Sequence, residues 1–250
     1  SLQYELVAAK EGLTFATKNA TRTTKYLQAQ LNADEAAVGP DGWGSDTVSK
    51  QLKVVANIIG ARGLTQSERE VFFVRYGGWD THASIDYKGS ADKPGKWDVV
   101  EAGLKRFVAE LKEKGVYDNV TVTIGSEFGR SISANSGTDH GWGGVSFVMG
   151  GGVFGGQILG TYPSDISDAS ELRDRRAMIP TTSYESVWNA LSQWMGVEDA
   201  AMDSVIPNKK NFADCQGAGC GLIPMGLMFK GAPGPSPPPG TPPLPPPLPP

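Results

Sequence analysis

Two short apolar runs, VFFV at residues 71–74 and the β-branched NVTVTIG at 119–125, bracket a stretch whose apolar residues recur with the period of a helix. From Trp97 to Lys114, the residues Val100, Leu104, Phe107, Val108 and Leu111 fall at i, i+4, i+7, i+8 and i+11, one face of an amphipathic helix. Strand, helix, strand is the order of a covered, largely parallel sheet, which places the chain in the α/β class. VSFVMG at 145–150 reads as a further strand. Val48 to Ala61 reads as a helix, and so does SYESVWNALSQWMGV, with Ser183 placed to cap it and Gly196 to end it. Residues 1–31 are polar and free of breakers, as one or two helices require, and LNADEAAVGPDGWGSD then reads as loop.

The pattern stops abruptly at Gly231. Residues 231–250 hold 12 of the 18 prolines, and proline joins neither a helix interior nor a central strand. The folded part therefore spans residues 1–230, and 231–250 form an extended proline-rich tail, a spacer or a docking segment for a partner.

With 39% hydrophobic residues among 250, the folded part has enough apolar surface for a sizeable core. A net charge of −4 and scattered lysines and arginines give no basic field, so nucleic acid is excluded as an expected partner. No apolar run approaches the roughly 20 residues of a membrane span. Cys215 and Cys220 are too few for a disulfide scaffold. Asn19 and Asn119 stand in glycosylation triplets, which lean towards an exported protein.

In a parallel α/β sheet, functional groups collect at the carboxyl ends of strands. Two loops stand at such positions, GGWDTH after residues 71–74 and GSEFGR after 119–124, and TDHGWGG follows as the loop after that. Both histidines of the chain, His82 and His140, lie in two of these three loops, each close to an aspartate. Asp80, His82, Glu127, Asp139 and His140 thus form an oxygen-and-nitrogen donor set without thiolate, suited to a divalent cation. Taken alone, Asp80 with His82 also reads as a turn aspartate beside a surface histidine. Arg130 has two readings: a salt bridge to Glu127, or a guanidinium aimed at an anionic substrate group. Gly150, Gly152 and Gly155 match the spacing of a dinucleotide-binding turn. That turn must open a helix, and the QILGTYPSD that follows contains Gly160 and Pro163, so these glycines read as tight turns.

GGWDTH, VTVTIGSEFGR, GTDHGWGGVSFVMGGGVFGGQILGTYP and IPTTSYESVWNALSQWMGV with VIPNKKNF occur in that order. In this succession the chain, from about Val48 to Phe212, resembles the carboxyl-terminal part of the domain of unknown function 1501 family, which looks like a branch of the alkaline phosphatase and sulfatase superfamily. The resemblance implies an alkaline-phosphatase-like, mainly parallel sheet flanked by helices, incomplete at its amino end. It also implies one or two divalent metals, often zinc, at the carboxyl edge of the sheet, and a hydroxyl nucleophile attacking phosphorus or sulfur. Asp80 and His82 would match the ligands of one metal, Glu127 an acidic ligand after the next strand, and His140 the later metal-binding histidine. Asp139 would be a ligand or the partner that orients that imidazole. Arg130 would neutralise charge on an anionic ester, either a small molecule or a sulfated or phosphorylated carbohydrate. The superfamily's nucleophile lies on an early strand that Ser1 to Asp46 does not resemble. The expectation is therefore a fragment of a phosphate- or sulfate-ester hydrolase, the alternative being a non-catalytic binding module of the same fold on a proline-rich cell-surface or matrix stalk.

Overall fold

The structure, a computed structural model, describes residues 21, 24–25, 28, 42–65, 69–83, 94–132, 137–167, 170, 173–174, 176–213 and 221–231. Most of the expected amino-terminal helical region, both cysteines and residues 232–250 lie outside the described residues. The chain forms two compact units: the first takes in the described residues up to Tyr76 and those from 94 to 114, and the second the described residues from 77 to 83 and from 115 to 231.

The first unit is a helix pair. Asp46 starts the helix Thr47–Gly60, its carboxylate accepting from Ser49 N at 2.9 Å and from Ser49 Oγ at 2.6 Å. Val48, Leu52, Val55, Ala56 and Ile59 recur at helical spacing and are all buried. They pack on the helix Lys96–Glu113, which covers the periodic segment and opens with Asp98 accepting from Gly95 N at 2.8 Å. Phe107 and Leu111 are buried, and Gly103, one turn before Phe107, lets the helices close in. A Cβ at Gly103 would lie 3.1 Å from Val48 Cγ1 and 3.4 Å from Leu52 Cδ1. Full burial of Phe107 contributes about 1.5–3 kcal/mol.

The run Val71–Val74, expected as a strand, forms no ladder among the described residues, and Val71 and Phe73 are 87% and 88% exposed. The backbone just beyond it meets a side chain instead. Gln51 Nε2 donates to Arg75 O at 2.8 Å and Gln51 Oε1 accepts from Arg75 N at 3.0 Å, the two bonds a neighbouring strand would supply.

In the second unit the other two expected strands form and pair with each other. β1 (Thr121–Ile124) runs antiparallel to β4 (Phe147–Gly150), with Val122 opposite Met149 and Thr123 opposite Val148. Between them the chain doubles back through β2 (Gly129–Arg130) and β3 (His140–Gly141), and that reversal brings β4 alongside β1 in the opposite sense. β5 (Arg173–Asp174) and β6 (Ala177–Met178) form a third two-stranded antiparallel ladder. The mainly parallel sheet that the resemblance implies has no counterpart among the described residues.

Behind the strands lies the helix Tyr184–Trp194, with Ser183 Oγ accepting from Ser186 N at 3.2 Å and Gly196 at φ +81° just past its end. Its buried residues Ala190, Leu191 and Trp194 form a core with Val153, Ile223, Met228 and Phe229, in which the Trp194 and Phe229 rings stack at 5.1 Å. Buried Asn189 donates to Ile223 O at 3.0 Å, so its amide is satisfied inside the core. No helix among the described residues is long and apolar enough to cross a membrane.

Candidate metal centre

Three backbone segments converge in the second unit, and glycine governs how closely. Gly78 adopts φ +82° ahead of Asp80, a conformation that costs a side-chain-bearing residue, and Thr81 N closes a tight turn onto Trp79 O at 3.0 Å. A Cβ at Gly137 would fall on the carbonyl oxygen of His82, so only glycine lets the loop before Thr138 lie against the Asp80–His82 loop. A Cβ at Gly129 would likewise fall on Gly143 O. The glycines that flank the acids and histidines in the sequence are thus the means by which those residues meet.

The β2–β3 register places Arg130 opposite His140. Asp80 Oδ1 then receives three groups: Arg130 Nη1 at 2.6 Å, His82 Nε2 at 2.9 Å and His140 Nε2 at 3.1 Å. The other ring nitrogen of His82, Nδ1, lies 3.2 Å from Asp139 Oδ1. Asp139 is held by reciprocal bonds with Ser131, its N–H donating to Ser131 Oγ at 2.9 Å and its carbonyl accepting from Ser131 N at 2.9 Å. Arg176 Nη1 approaches Asp139 Oδ2 at 3.5 Å. His140 stacks on Phe128 at 3.8 Å between ring centroids, and the two imidazoles are 5.2 Å apart.

Arg130 is engaged all round. Besides Asp80 it donates through Nε to Thr138 Oγ1 at 2.8 Å, and through Nη2 to Thr81 O at 2.7 Å and to Thr138 O. It thereby ties the loop of His82 to the loop of His140. Its hydrogen bond to Asp80 is the main reason that the Asp80 carboxyl is held below the usual carboxylate range. Partial desolvation opposes this, and His140 and His82 reinforce it.

The donor atoms of Asp80, His82 and His140 all lie within 4.8 Å of one another, and all three side chains are exposed. Ligands of a tetrahedral zinc with bonds of about 2.0–2.1 Å stand roughly 3.3 Å apart, close to the Asp80–His spacings. Two imidazoles and one carboxylate, open to solvent, are the set of a metal site that keeps a position for water or substrate, and structural zinc sites close that position. Asp139 on His82 Nδ1 makes a carboxylate–histidine arrangement that would leave Nε2 available to a metal. By its chemistry and spacing the donor set fits a divalent metal.

Of the residues expected from the sequence, Asp80, His82 and His140 come together, and Asp139 joins them through His82, although it stands next to His140 in the chain. Glu127 is not one of the three converging donors; its exposed carboxylate accepts from Ser126 Oγ at 3.2 Å. Arg130 pairs with Asp80 and not with Glu127. Phe128, Ser131, Thr138 and Arg176 were not anticipated. Phe128 carried the one available signal, lying between Glu127 and Arg130 in SEFGR.

The family described as "Protein of unknown function (DUF1501)" matches residues 5–184, and the chain belongs to that family. No curated protein and no solved structure matches the chain.

Proposed function

We propose that this chain carries the metal-holding part of a hydrolase acting on phosphate or sulfate esters. The observation that carries the reading is the convergence of Asp80, His82 and His140 donor atoms within 4.8 Å on an exposed face. A divalent ion, with zinc first choice, would be held by these three side chains and would supply a polarised ester oxygen and a water or hydroxyl of lowered pKa. Around it, Asp139 fixes the His82 ring through Nδ1, Phe128 fixes the plane of His140, and Arg130 keeps the two histidine loops in register. The superfamily resemblance supplies the reaction class, with an exported location and an anionic carbohydrate or small-molecule ester as its accompanying expectations.

A second reading has one specific observation behind it. Arg130 already neutralises Asp80 at 2.6 Å, so the cluster is internally paired without any ion, as a binding module of this fold would require. Elemental mass spectrometry of the purified protein, before and after incubation with zinc or manganese, separates the two. The hydrolase reading expects about one equivalent of metal in the wild type and loss of most of it in His140→Ala, followed by turnover of aryl phosphate or aryl sulfate esters. No metal in either protein after reconstitution leaves the binding module.

A further inference from the structure

We propose that residues 69–76 are a pairing edge for a second copy of this chain, the two segments running antiparallel about a two-fold axis with Phe73 opposite the partner's Phe73. The segment belongs to the first unit, and the proposal is independent of the metal centre. Its exposure alternates with the period of a strand: Arg69, Val71, Phe73 and Arg75 are exposed, and Glu70, Phe72, Val74 and Tyr76 are half-buried. Four apolar residues in succession make both faces apolar, as in a strand with neighbours. Yet residues 71–74 make no backbone hydrogen bond among the described residues.

One edge of the segment is already committed. Successive residues of a strand turn their backbone groups to alternate edges, and Gln51 takes both backbone groups of Arg75. The edge shared by Arg75, Phe73 and Val71 therefore faces the helix Thr47–Gly60. The other edge carries the N–H and C=O groups of Phe72 and Val74, and a new strand would add there.

Side chains and charges select the register and the occupant. A two-fold axis normal to the ribbon keeps each face on its own side, so exposed residues meet exposed ones and half-buried meet half-buried. Centred on Phe73, the arrangement makes Phe72 and the partner's Val74 a hydrogen-bonded pair, twice by symmetry, and sets Phe73 on the partner's Phe73 in the closer, non-hydrogen-bonded position. Val71 meets the partner's Arg75, whose aliphatic stem covers it while the guanidinium stays in water. Glu70 meets the partner's Tyr76, so no like charges stand opposite each other. Centred on Phe72, the ribbon would set Arg69 against the partner's Arg75 at both ends, and centred on Val74 it would leave Val71 opposite the partner's Gly77. A second copy thus supplies the aromatic match and the arginine stems that close both ends of the apolar row.

The test is analytical ultracentrifugation of the full chain from about 1 to 100 μM, for the wild type and Phe73→Lys, with circular dichroism to follow folding. Phe73 is 88% exposed, so lysine there removes no core contact and sets two like charges opposite each other in the dimer. The proposal expects a monomer–dimer equilibrium in the wild type, weakened about 10-fold or more in Phe73→Lys. The register is read separately by mild oxidation of Phe73→Cys and Val71→Cys. Cα atoms of a non-hydrogen-bonded pair stand about 4.5 Å apart, within disulfide reach, so Phe73→Cys should form a covalent dimer beyond any in the wild type and Val71→Cys should not. A wild type that stays monomeric throughout overturns the proposal, as does a dimer unaffected by Phe73→Lys, a series of larger species in place of a dimer, or equal cross-linking through the two cysteine variants.

Discussion

At the scale of single residues, Asp80 is the pivot, because one oxygen atom meets a guanidinium and two imidazoles. Arg130 lowers the carboxyl pKa from its ordinary value of 3.8, and the sign of the pH dependence follows. A carboxylate with a depressed folded value adds stability that is fully present above the ordinary range and is lost as pH falls through the folded value. Arg130→Gln removes that contribution. The thermal midpoints of wild type and variant should therefore differ by a constant amount near neutral pH and converge as the pH drops below 3.8 towards the lowered value. Melting curves at a series of pH values check this, and a gap that persists undiminished in acid would show that Arg130 acts through its bonds to Thr81 and Thr138 alone. Which residues meet was only partly legible in the sequence. A chain with two histidines advertises both, and their neighbouring aspartates were read with them. Asp139 contacts His82 and not the histidine next to it in the chain, and no sequence spacing encodes a contact across 57 residues.

At the scale of elements, the helices were legible because their information is local. Asp46 and Ser183 stand where caps belong, and apolar residues recur every three or four positions in between. The strands at 121–124 and 147–150 were legible as strands, from their β-branched and aromatic content, but their direction was not. Pairing sense is decided by how the intervening chain returns, and here that return depends on glycines packed against backbone. Gly129 is the sharpest case, since its missing side chain makes room for the carbonyl of Gly143. Gly129→Ala should cost about 1–3 kcal/mol through overpacking against rigid backbone, and should lower metal uptake along with stability because β2 carries Arg130 opposite His140. Chemical denaturation followed beside metal analysis tests both parts, and an alanine variant of wild-type stability would mean that the β2–β3 ladder yields more easily than its geometry implies.

At the scale of the whole molecule, the last described residues close the second unit. Phe229 is buried against Trp194, Lys230 N donates to Gly152 O at 2.9 Å, and Lys230 Nζ donates to Gly151 O at 2.9 Å. The proline-rich remainder has few amide donors to add to a ladder. A chain ending at Gly231 should accordingly keep the thermal midpoint and metal uptake of the full chain. A fall of several degrees, worth about 1–2 kcal/mol at this size, would show that the tail contributes to the core. The separation of the ligands has a further consequence. His140 lies 60 residues beyond Asp80, so an ion shared by the two would act as a reversible cross-link, closing a loop whose entropy in the unfolded chain amounts to about 4 kcal/mol. Metal and chain would then be thermodynamic partners: the ion would resist unfolding as a disulfide does, and chelation would cut that link without breaking a covalent bond.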